Sequence, residues 1–125
     1  MQNKSDNQVV VVNSRDFVLM EHEHFYRSIL IKDGNLTVKP YAAFLDQVTL
    51  ISPQKSVLLE SHSFIYHLNM MNGGEIFFTD DNILIDHLTI EGHVVIHLPK
   101  SSSVDLQDLV DIISGVCYTI ARDID

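Results

Sequence analysis

Glu21-His22-Glu23-His24 is the densest run of ligand-type side chains in this chain. On a strand alternate residues share a face, so His22 and His24 project together and the two glutamates project oppositely. Two imidazoles on one face can share a metal, but a zinc site takes at least a third protein ligand. Nothing in the sequence sets His62, His67, His87, His93 or His97 beside the pair, so the string reads as a polar strand end entering a turn. His93 and His97 stand four apart, which is metal spacing on a helix. The β-branched stretch around them reads as strand, where they share no more than a face.

Other chemistry is weaker. Cys117 is the only cysteine, which excludes an intrachain disulfide and a Cys/His zinc framework, and it reads as a small buried hydrophobe. No G-x-S-x-G elbow occurs, and Ser101-Ser102-Ser103 reads as a helix-capping loop. Asp80-Asp81 reads as solvated turn acids, and Gly73-Gly74 as an ending with the wrong polarity for a phosphate loop. No catalytic residue, metal or cofactor is expected.

The 125 residues suit one domain, and 46% apolar against 20% charged is the balance of a folded protein. A formal charge of −9, from 8 Lys and Arg against 17 Asp and Glu, opposes binding to nucleic acid or anionic membrane. The apolar runs are too short to span a bilayer, and the polar opening residues lack a signal-peptide core, so a soluble, cytoplasmic protein is expected.

The elements that must position these residues divide at Ser52. Residues 1–16 read as an arm or edge strand containing Val9 to Val12, and 17–125 as one α+β domain. Phe17 to Glu23, Tyr26 to Lys32 and Leu36 to Pro40 read as strands, the last two joined by an Asp33-Gly34-Asn35 hairpin turn. Tyr41 to Ile51 is open between strand and helix. Ser52-Pro53 offers an N-cap and a first-position proline, and Val57, Leu58, Phe64, Ile65, Leu68 and Met71 recur at three and four, predicting a helix over about 53–72 closed by Asn72-Gly73-Gly74. Two hairpins are expected from Ile76 to Leu98. A final amphipathic helix over about 103–123 follows from Leu106, Leu109, Val110, Ile113, Val116, Cys117, Ile120 and Ile124, with its aspartates on the solvent face. The sum is an antiparallel sheet of about five to six strands with two main helices. No internal repeat, low-complexity tract or linker is visible.

That order of elements, with the segments NMMNGG, EIFFTD and VDLQDLVDIISGVCYTIARDI, resembles the small acidic class I chaperones of bacterial type III secretion systems. The resemblance spans roughly Phe17 to Asp125. The usual N-terminal amphipathic helix is missing, since QVVVV reads as strand, and Gly74 to Pro99 holds one strand more than the pattern requires. It implies a virulence-associated homodimer formed through the middle helix, with Leu58, Phe64, Ile65, Leu68 and Met71 at the interface. It also implies that an extended apolar segment of a secreted effector, or another secretion-related partner, binds over Phe17, Leu19, Ile29, Ile31, Leu36 and Val38. A second class is a small acidic immunity or inhibitor protein docking a basic partner. A metal-dependent enzyme or sensor using His22 and His24 is a third.

Overall fold

Val10, Ile29, Val48, Leu68, Leu88 and Val110 stand side by side on neighbouring strands, one after another at steps of 19 to 22 residues. The chain is wound as a coil, and a computed structural model describes it over residues 9–13, 15–103, 110–112 and 118–125. Its strands are β1 Val10–Val12, β2 Phe17–Leu19, β3 His24–Phe25, β4 Ile29–Ile31, β5 Leu36–Val38, β6 Ala43–Leu50, β7 Ser56–Leu59, β8 Phe64–Met70, β9 Gly74–Phe78, β10 Leu84–Ile90, β11 Val94–Pro99, β12 Val110–Ile112 and β13 Tyr118–Ile124. One sheet runs β1-β4-β6-β8-β10-β12, with β3 also against β6, and the other runs β13-β11-β9-β7-β5-β2. Every pairing is parallel, and the chain passes from one sheet to the other in each coil, the arrangement of a β-solenoid.

Alternation drives this fold. Ile29 and Ile31, Leu36 and Val38, Val48 and Leu50, Val57 and Leu59, Leu68 and Met70, and Leu88 and Ile90 all point between the sheets and are buried. Each side chain stacks on the equivalent one in the next coil, so the core is an aliphatic column. The inward strand residues are mostly β-branched or aliphatic, and the intervening Asp33-Gly34, Asn72-Gly73 and Glu91-Gly92 supply turns.

The expected α+β fold with an antiparallel sheet is therefore incorrect: the described elements are all strands, and the sheets are parallel. The predicted helix over 53–72 is β7 and β8. Its helical spacing has a specific origin. Ile65 and Leu68 both point inward, and so do Ile85 and Leu88, because the sheet bends between them and turns two consecutive residues outward. In β6 the same corner holds three residues, 45–47, and the register shifts there. A bent strand thus reproduces the three-residue spacing of a helix.

The predicted last helix contains β12 and β13, while 104–109, 113–117 and with them Cys117 lie outside the described residues. Asp33-Gly34-Asn35 is a turn, but it links β4 to β5 in the opposite sheet, so no hairpin forms. The expected hairpins after Ile76 fail likewise. The stretch left open, Tyr41 to Ile51, holds the eight-residue strand β6. Gly73-Gly74 ends no helix: Gly73 has φ of 83°, and a Cβ on it would meet the His93 carbonyl oxygen at 2.7 Å, so close passage of the next coil requires glycine. The chain also repeats after all. Only apolarity recurs at each stacked position, which hides the repeat from residue identity.

Lys55 pins the turns of two coils. It is 5% exposed, and its ammonium donates to the carbonyls of Ser52 at 2.7 Å, Met71 at 2.5 Å and Gly73.

Candidate functional site: the turn edge

Three consecutive coils turn one corner in the same way. The N–H groups of Glu23, Ala42 and Ser63 donate to the carbonyls of Met20, Lys39 and Glu60, closing four-residue turns at 3.0, 3.1 and 3.1 Å. The third residue of each turn is His22, Tyr41 and His62, with φ of 65°, 63° and 61°. Glycine, asparagine, aspartate and histidine are the residues that most readily take such a left-handed position, and the bulky Tyr41 there is a backbone outlier. The turns are also bonded to one another. His22 N–H donates to Pro40 O at 3.2 Å, and Tyr41 N–H to Ser61 O at 3.1 Å.

This register stacks the three rings. His22 and Tyr41 have centroids 5.2 Å apart and planes 14° from parallel, and Tyr41 and His62 are at 4.7 Å and 1°. The ladder is open to solvent: Tyr41 is 49% exposed. Glu21, Glu23 and Glu60 belong to these turns, and Asp80 lies near His62 at the same corner of the next coil. Lys39 pairs with Glu60 at 3.2 Å, and Glu21 lies 3.9 Å from the His22 ring. In the fourth coil Asp80 Oδ2 accepts from the Ser61 hydroxyl of the third, and its other oxygen accepts from Asn82 N–H at 2.7 Å. The Ser61 hydrogen bond, the Asn82 N–H and the nearby His62 outweigh desolvation and hold the Asp80 pKa below the usual carboxylate value. The edge therefore joins fixed negative charge to stacked rings with polar tips.

The sequence-predicted residues are distributed differently. His22 sits at the turn while His24 starts β3, leaning on Tyr26 with ring centroids 6.3 Å apart, so the two do not share a strand face. Among the described residues no three His, Cys, Asp or Glu side chains are placed to hold a metal ion together. Leu19, Ile29, Ile31, Leu36 and Val38 are in the core, and Phe17 is half-buried against it. Ile65 and Leu68 are fully buried too, with Leu58, Phe64 and Met71 half-buried. The helix meant to present that interface is absent.

Two further polar groups lie on the sheet faces. Asn69 Nδ2 donates to Gln47 Oε1 at 3.3 Å and Thr49 Oγ1 at 3.1 Å, and His67 Nε2 lies 2.8 Å from Thr89 Oγ1. His97 on the opposite sheet is flanked by Glu75 and Asp123. Sequence reasoning missed the ring ladder because its signal is a step of about twenty residues between His22, Tyr41 and His62, invisible until the coil is known. No helix of the described residues is long and apolar enough to cross a membrane. Compared with family models, with curated proteins and with solved structures, the chain matches none.

Proposed function

We propose that this chain is a non-catalytic binding protein of the cytoplasm that docks a basic segment of a partner protein along its turn edge. The observation that carries the reading is the ladder His22, Tyr41, His62, held at left-handed positions of successive turns and surrounded by carboxylates. Non-glycine residues in that conformation cost of the order of 1–3 kcal/mol each and cluster at functional sites. A guanidinium brings a fork of five donors, and the acceptors it needs, carboxylates and the tips of tyrosine and imidazole rings, line this edge. The overall charge of −9 steers such a partner inward.

The secretion-chaperone reading asked for an apolar groove over Ile29, Ile31, Leu36 and Val38. These side chains fill the core instead, so the acidic docking reading is favoured. An NMR titration with an arginine-rich peptide tests it, with a glutamate-rich peptide of equal length as control. Shifts confined to 20–23, 39–42, 60–63 and 80–82 are expected. Raising salt from about 50 to about 300 mM should weaken binding several-fold, and Tyr41→Ala should weaken it by about threefold or more. Salt-insensitive binding, or shifts spread over the other acidic surfaces, would refute the reading.

A further inference from the structure

His97 touches three successive coils. It lies on β11, with Nδ1 2.9 and 3.0 Å from the carboxylate oxygens of Asp123 on β13 and Nε2 3.0 Å from Glu75 Oε2 on β9. Its ring stacks on Phe77 of β9, with centroids 4.2 Å apart and planes 4° from parallel. The side chain is 13% exposed. An ionised carboxylate only accepts hydrogen bonds, so this arrangement asks both ring nitrogens to donate, and only the imidazolium carries two N–H groups. In the neutral ring one nitrogen would turn a lone pair toward an anion.

Among the described residues, the titratable groups facing the ring are Glu75 from β9 and Asp123 from β13. Nearby, His93, just before β11, lies 3.2 Å from Thr119 Oγ1, Lys100 pairs with Asp125 at 2.7 Å, and Arg122 Nε donates to Ser102 O at 3.1 Å. Among the described residues β13 is an edge strand, paired with β11 alone.

We infer that His97 is a proton-operated latch that clamps β13 onto the solenoid when protonated and loosens the last coil when it loses that proton. Burial alone would lower the ring's pKa, but the hydrogen bonds and charges of Glu75 and Asp123 outweigh it and raise the pKa above its ordinary value. A raised value means that the latch contributes fully below the unfolded-state pKa of about 6.5. The contribution is lost as pH climbs through the higher folded-state value. Release bares the edge of β11, which can then pair with another strand.

Hydrogen exchange of the full chain at about pH 5.5 and about pH 8, corrected for intrinsic rates, tests the latch. Residues 118–124 should lose at least about threefold in protection at the higher pH relative to β8. His97→Gln should flatten that difference, as should Glu75→Gln if the first variant folds poorly, while His93→Gln should keep it. Equal relative protection at both pH values, or a pH response that survives in both His97→Gln and Glu75→Gln, would overturn the inference.

Discussion

Lys55 is a charged side chain whose removal would strand three carbonyls. Lys55→Met keeps the aliphatic stem but leaves the Ser52, Met71 and Gly73 oxygens without their donor, and is expected to cost about 2–4 kcal/mol in denaturant unfolding. Its own titration has the opposite sign to that of His97. Burial lowers the Lys55 pKa to about 8, so unfolding takes up a proton between that value and the ordinary 10.5. Stability from this residue therefore rises with pH across that window, and the rise should be absent from Lys55→Met. In the sequence Lys55 is one more polar residue after a proline. Its role depends on Met71 and Gly73, 16 and 18 residues away, which no local pattern reveals. The two imidazoles of the acidic run were legible as unusual, but their separation was not, because it depends on His22 taking a left-handed turn position that alternation along a strand does not announce.

At the scale of elements, part of the strand pattern could be read from the sequence: β2, β4, β5 and β10 fall within segments expected to be extended, and β9 and β11 overlap such segments. What failed was the distinction between a bent strand and a helix. Corner residues insert two outward positions between Ile65 and Leu68, and the resulting spacing mimics helical periodicity when flanked by Ser52-Pro53 and Gly73-Gly74. The corner also yields a length test. Deleting Asp46 shortens the three-residue corner of β6 to the two-residue corner of β8 and β10, and should change stability by no more than about 1 kcal/mol. Deleting His67 instead moves Ile65 and Leu68 out of step with both neighbouring strands and should abolish cooperative thermal unfolding followed by circular dichroism. Direction was a second failure. A turn signal such as Asp33-Gly34-Asn35 marks a reversal, but cannot say whether the next strand returns beside the last or crosses to another sheet.

Across the whole molecule, each coil is supported by the coils beside it, so stability is a sum of neighbouring interfaces. A cavity in the middle weakens two interfaces and one at the end weakens one. Leu68→Ala is expected to cost about 3–5 kcal/mol, and Val12→Ala, on edge strand β1, less than half as much. Equal costs would mean that the first coil is held by more than β4. The balance of a folded protein and the acidic surplus were legible in composition. The winding was not, because the stacked positions share hydrophobicity without sharing residues.

The ring ladder also sets a unit of length. Adjacent parallel strands lie about 4.8 Å apart, so His22 and His62, two coils apart, mark an interval of roughly 9.6 Å. A polyproline II segment completes a turn every three residues, advancing about 9.3 Å, so side chains three apart fall opposite alternate coils. An extended strand repeats a face every two residues, about 6.6 Å, and drifts out of step. The turn edge is thus a graduated ruler, marked off by the backbone, along which a segment with basic residues at every third position in polyproline II form would stay in register.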